Sequence, residues 1–225
     1  MTRGPTVDRL VIAVDGPGGV GKTTACRAVA ETLGWSHLDT GSFYRAATVV
    51  AMLQRLDLAN EAEVMRAVAA VELDYRAGRM LVEGIDMSGA IRSEAVTSQV
   101  SGVSALAGVR TLLVARQRSW VESRGGRAVV EGRDIGTAVF PSAPLKVYLT
   151  AHPAVRAVRR AGEASAGLEA VREGLARRDH QDSTRLVSPL ARATDAIEID
   201  TSHISVADVV NKVLDMCTER GLGTA

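Results

Sequence analysis

Gly16-Pro17-Gly18-Gly19-Val20-Gly21-Lys22-Thr23 fits the pattern G-x-x-x-x-G-K-[ST]. Each fixed position has a chemical reason. Glycines let the backbone curl so that successive N–H groups point inward at phosphate oxygens. The helix that follows adds its positive N-terminal end. A lysine at position 22 reaches the outer phosphates of a nucleoside triphosphate, and the Thr23 hydroxyl takes one place on Mg²⁺. The stretch Gly16, Pro17, Gly18, Gly19, Val20, Gly21, Lys22, Thr23 and Thr24 is therefore expected to hold ATP, with Thr23 on the metal. Its context fits: the apolar run 10–14 precedes it and a helical pattern over 23–33 follows, ending at Gly34.

A second set of residues concerns what receives the phosphoryl group. Arg45 lies six residues after Asp39. Arg133 and Asp134 lie just past a strand-like run, where open α/β sheets place their ligands. Arg156, Arg159 and Arg160 cluster, and Arg178 and Arg185 follow. Two anionic substrates repel each other, and guanidinium groups offset this with permanent charge and bidentate geometry. That set favours a small-molecule kinase over other phosphate-loop classes. Asp86-Met87-Ser88-Gly89 matches the D-x-x-G of GTPases but falls beside a hairpin, and no N-K-x-D reads guanine. Val129-Val130-Glu131 is a thin version of the apolar strand and acid that motor and transporter ATPases carry.

The elements that must position these residues alternate. Strands are expected over 10–14, 37–39, 128–130, 145–149 and 196–200, and helices over 23–33, 43–55, 61–70, 94–105, 109–123, 153–160 and 170–180. Ser205 and Asp208 suggest a capping box that opens a last helix to about residue 220. This alternation predicts a phosphate-loop α/β fold, a parallel sheet with helices on both faces. The pattern breaks at 71–83, which reads as a hairpin and opens a small antiparallel insert. Residues 161–169, rich in Ala and Gly, are small and expected to be flexible, and read as the tip of a short lid.

Composition narrows the class. The 225 residues are 46% hydrophobic and 24% charged, with net charge +1. That is a globular balance without a global field toward nucleic acid or membrane. Aromatic content of 3% leaves little for base stacking. Two cysteines and an apolar run too short for a leader suggest free thiols and the cytoplasm. Residues 1–8 read as a loose tail, and nothing suggests a dedicated interface helix, so a monomer is expected.

Several stretches go beyond a class. They are Asp15-Gly16-Pro17 through Thr24, Asp39-Thr40-Gly41 with Tyr44-Arg45, and Ser88-Gly89-Ala90-Ile91-Arg92. Two more are specific: Glu131-Gly132-Arg133-Asp134-Ile135-Gly136-Thr137, and Arg178-Asp179 continuing to Asp182-Ser183-Thr184-Arg185. From about Leu10 to the last helix, the chain resembles the bacterial cytidylate kinases. The resemblance implies ATP- and Mg²⁺-dependent phosphorylation of CMP and dCMP. It implies that Thr40, Arg45, Arg133 and Arg185 face the acceptor phosphate. Ser101, Arg110 and Asp134 would face cytosine, and Arg178 and Asp182 the sugar. Lys22, Arg133, Arg159 and Arg160 would stabilise the transferring phosphoryl. The corresponding division is a core over about 9–66, 104–155 and 184–222, an acceptor-binding (NMP-binding) insert over 67–103 and a lid over 156–183. An acid accepting from cytosine N4, with Arg and Ser donating to N3 and O2, would reject uracil, which reverses the pattern at two atoms. The other acceptors to weigh are UMP, AMP and shikimate, and the other class is a nucleotide-binding module without turnover.

Overall fold

The computed structural model describes residues 10–162 and 167–223. The expected tail and the middle of the expected lid tip lie outside the described residues. In chain order the elements are β1 (Leu10–Asp15), α1 (Lys22–Leu33), β2 (Ser36–Asp39), α2 (Thr40–Leu53), α3 (Glu61–Ala69), β3 (Leu73–Arg76), β4 (Arg79–Val82), β5 (Ile85–Asp86), α4 (Glu94–Ala105) and α5 (Ala107–Glu122). After these come β6 (Arg127–Gly132), β7 (Leu145–Thr150), α6 (Pro153–Ala161), α7 (Leu168–Thr184), β8 (Ile197–Asp200) and α8 (Val206–Glu219). The chain divides into two compact units, Met1–His37 with Arg124–Ala225, and Leu38–Ser123.

The first unit is built on a sheet of order β2-β6-β1-β7-β8. The pairs β1–β6, β1–β7 and β7–β8 are parallel. β1 sits in the middle because its run Val11-Ile12-Ala13-Val14 is apolar on both faces, and all four side chains are buried. Ile12 and Val14 join Val129, Leu145, Val147, Leu149 and Ile199 in one core with Ala25, Cys26, Val29 and Leu33 of α1 and Val209, Val213 and Cys217 of α8. Val11 and Ala13 point the other way and are equally buried. The expected parallel sheet, covered on both faces, is what the chain forms. α8 opens with the expected capping box: Ser205 Oγ accepts from Asp208 N–H, and Asp208 accepts from Ser205 N–H.

The second unit holds α2 to α5 and an antiparallel sheet of order β3-β4-β5. β3 and β4 form the expected hairpin, whose turn carries Ala77 and Gly78 at positive φ. β5 is a two-residue addition with both side chains exposed, too short to leave a pattern in the sequence. Trp120 of α5 anchors the sheet: its indole N–H donates to Tyr75 O at 2.8 Å, and the two rings meet edge to face. Among the described residues no single helix is long and apolar enough to cross a membrane.

Candidate active site

The phosphate loop joins the carboxyl end of β1 to α1. Its glycines answer to steric limits. A Cβ on Gly16 would meet Leu149 O at 2.2 Å, and Gly19, at φ 78°, has Arg156 O 2.9 Å from the same place. α1 then begins at Lys22 with no side-chain cap, so the amides of its first turn stay available to an anion. Lys22 Nζ folds back onto Gly16 O at 2.8 Å and Pro17 O at 2.7 Å. Burial, and after it the nearby Arg133 guanidinium, push the Lys22 pKa down to about 7. The negative charge of a bound polyanion would act against both.

Asp15 closes β1 and is a residue whose role the sequence did not reveal. Its carboxylate accepts from Ile135 N–H and Gly136 N–H, each at 2.7 Å. It thereby pins the start of a π-helical turn, Ile135–Val139, directly after Arg133 and Asp134. Burial raises its pKa to about 6, even though those two amides act to lower it. The folded-state value lies above the ordinary 3.8, so the native chain holds this proton more tightly than the unfolded chain. The resulting stability is complete below about pH 4 and is lost as pH rises through about 6. The gap corresponds to roughly 3 kcal/mol. Asp15→Asn cannot titrate. The stability of the wild type relative to Asp15→Asn, from urea unfolding, should therefore fall between pH 4 and pH 7. An unchanged difference at both pH values would refute the burial account.

Arg133 and Asp134 follow β6 and are held by α7 and the segment after it. Arg133 Nη1 donates to Gly16 O at 2.9 Å, and its Nε donates to Asp182 Oδ2 at 3.0 Å. Arg185 Nη2 lies 3.4 Å from Asp134 Oδ1, with both side chains buried. Among the described residues Arg178 Nε has no hydrogen-bond partner, and burial, followed by the nearby Arg133 charge, lowers the Arg178 pKa. Cations gathered this closely favour an anionic guest. The sequence-derived set Arg133, Asp134, Arg178, Asp182 and Arg185 is thus brought together beside the phosphate loop.

The arginines of α6 separate in the structure. Arg159 donates to Thr201 Oγ1 and Thr201 O at 3.0 and 2.7 Å, and Thr201 Oγ1 also contacts Val20 O. Arg156 instead reaches the loop, donating to Gly18 O at 3.0 Å and to the carboxylate of Asp179. Asp179 Oδ1 in turn lies 3.4 Å from Gly18 N. Arg160 stands close enough to Arg178 to depress its pKa.

In the second unit, Arg45 of α2 donates to Ile91 O and Thr97 Oγ1, joining α2 to the Ser88–Arg92 stretch and α4. Arg110 of α5 is buried, donates to Ser104 O and stacks over the Tyr44 ring at 5.3 Å. Ser101 and Thr40 are buried on α4 and at the start of α2.

Glu131 is the other acid the sequence undervalued. It lies one residue before the end of β6, beside β1 and almost fully buried, and Thr23 Oγ1 donates to its Oε2 at 3.0 Å. A hydroxyl and a carboxylate are hard oxygen donors, the set that suits Mg²⁺. The residues present therefore fit the metal that a phosphate loop implies. The clue in the sequence was an acid at the end of a buried apolar strand.

A parallel sheet with β1 feeding a glycine-rich loop, and arginines at the strand ends, defines a phosphate-loop kinase fold. A sugar kinase from Janibacter sp. HTCC2649 shares that fold at TM-score 0.51 and 12% identity, covering 96% of this chain and 99% of its own. The cytidylate kinase pattern matches residues 12–219, and this chain belongs to the cytidylate kinase family. A relative from Streptomyces griseus named cytidylate kinase is 46% identical, over 92% of both chains. Another of that name, from Mycobacterium leprae, is 43% identical over 94% of this chain and 96% of its own.

Proposed function

We propose that this chain transfers the γ-phosphoryl group of ATP to CMP, and to dCMP, releasing ADP and the diphosphate. The observation that carries the reading is the arginine–carboxylate set beside the phosphate loop, which supplies a second anion site next to the first. Relatives that match almost the whole chain carry the name of this activity.

An oxygen of the acceptor phosphate attacks the γ-phosphorus in line, and the bond from γ-phosphorus to the bridging oxygen breaks with its electrons passing to ADP. The attacking oxygen is already anionic, so little proton removal is needed. Lys22, the loop amides and the arginines Arg133, Arg159 and Arg160 offset the charge that spreads over the γ-oxygens. Arg156 joins them through its contact with Gly18 O. Thr23 and Glu131 would hold Mg²⁺, which neutralises phosphate charge. Thr40, Arg45, Arg133 and Arg185 receive the acceptor phosphate. Ser101, Arg110 and Asp134 read cytosine, and Arg178 and Asp182 hold the sugar. The enzyme so described is monomeric and cytoplasmic and has no nucleic acid or membrane partner.

Two measurements test this. Coupled ADP assays with CMP, dCMP, UMP and AMP should show CMP and dCMP as the efficient acceptors; equal turnover of UMP would remove the cytosine assignment. Asp134→Asn, which keeps the shape but reverses half of the hydrogen-bonding pattern, should raise KM for CMP by roughly 10- to 100-fold, the loss expected for a charged hydrogen bond. KM for ATP should stay within about twofold, since Asp134 belongs to the acceptor side.

A further inference from the structure

His37 falls outside the motifs that mark the loop and the acceptor residues. It lies on β2, next to β6 in the sheet. Leu38 is fully buried in the core, and alternation puts His37 on the opposite face of the strand. There its Nε2 approaches Glu131 Oε1 at 2.9 Å, with both side chains nearly closed to solvent. A carboxylate only accepts, so the imidazole N–H donates. Glu131 is consequently held at both oxygens: Oε1 by His37 and Oε2 by Thr23 at 3.0 Å. The Thr23 hydroxyl spends its one proton on Glu131, which leaves its lone pairs for a cation.

We propose that His37 is a positioning residue for the divalent metal that accompanies the triphosphate. It fixes the rotation of the Glu131 carboxylate, so that Oε2 stays turned toward Thr23. The inference rests on the assignment of Thr23 and Glu131 to the metal. Outer-shell donors of this kind tune metal sites strongly, and their loss typically costs 10- to 100-fold in affinity. A merely structural pair would behave differently, because its loss would lower thermal stability and leave metal affinity alone.

The test is Mn²⁺ affinity, read by electron paramagnetic resonance, for the enzyme bound to the β,γ-imido analogue of ATP. His37→Phe should weaken Mn²⁺ binding by roughly 10-fold or more. Affinity for the analogue without metal should change by less than about twofold, because the role of His37 runs through Glu131 to the metal. His37→Gln restores a donor and should recover most of the metal affinity. His37→Asn keeps a polar side chain but falls short of Glu131, so it should resemble His37→Phe and serves in its place if the phenylalanine variant does not fold. Glu131→Gln separates the two layers of the argument. If Glu131→Gln weakens Mn²⁺ binding while His37→Phe and His37→Asn bind like the wild type, the positioning role is wrong and the metal assignment stands. If Glu131→Gln itself binds Mn²⁺ normally, the metal assignment fails, and the role of His37 fails with it.

Discussion

Lys22→Met should lower kcat with CMP and ATP by roughly 10³-fold or more, since in the proposed mechanism it removes the charged donor that offsets the developing phosphoryl charge. The same change should leave thermal stability nearly untouched or slightly raised. The reason lies in the setting of Lys22, whose ammonium is buried against two backbone carbonyls and close to Arg133. Its pKa, pushed down to about 7, records that the charge is held at a cost. Methionine keeps the length and apolar stem, removes the buried charge, and leaves two carbonyls without this donor. These effects oppose one another. Activity should collapse while the melting temperature moves by only a few degrees, the signature of a residue selected for function over stability. Coupled ADP assays and thermal melts on the same preparations check both halves. A large drop in melting temperature would mean that the loop needs Lys22 to keep its shape, and the kinetic loss would then say little about transition-state charge.

The phosphate loop was legible because each fixed position has one physical reason, and those reasons act within nine residues. The strand before it was legible because a four-residue apolar run can only be buried on both sides. The arginines at the strand ends were legible by type and place, but not their partners. Nothing in the sequence separates Arg156, which contacts Gly18, from Arg159, which is bound to Thr201, because both lie on one short helix. Asp15 and Glu131 were obscured for another reason. Each lies at the carboxyl end of an apolar strand, and its role depends on a partner more than 100 residues away along the chain. Helix ends also moved. α2 begins at Thr40 where apolar periodicity suggested Phe43, because Asp39 accepts from Ser42 Oγ and extends the first turn across Thr-Gly-Ser. α7 runs to Thr184, past the expected stop near 180. Ser183 and Thr184 are weak helix formers, and both hydroxyls bond back to His180 O instead of capping a new element. Asp182 is meanwhile tied to Arg133. At the end of α7 a tertiary contact overrides weak local propensity, and at the start of α2 a local side-chain bond does.

Arg133→Met should produce the second large loss, a fall in kcat/KM for CMP of roughly 10³-fold, in the range of arginines that stabilise phosphoryl transfer. Binary affinity for ATP should change by less than about tenfold, because the loop keeps its amides and Lys22. The stability effect follows from two opposed changes. Asp182 is buried and would lose the Arg133 Nε–H, and breaking a buried pair from one side is costly. Arg133 also crowds two other cations: after burial, its charge is the strongest influence depressing the pKa of both Lys22 and Arg178. Removing it relieves them, so the net loss in urea unfolding should be about 1–2 kcal/mol, below the ~3–5 kcal/mol of an isolated broken pair. Arg133→Lys separates charge from geometry. Lysine restores the charge, but a single ammonium on a flexible stem cannot reproduce a planar fork set against Gly16 O and Asp182 at once. It should recover much of the stability and little of the activity. If Arg133→Lys instead keeps more than about a tenth of wild-type kcat/KM, charge alone suffices at this position. The bridge from β6 to the phosphate loop and α7 would then be a feature of the fold rather than of the reaction.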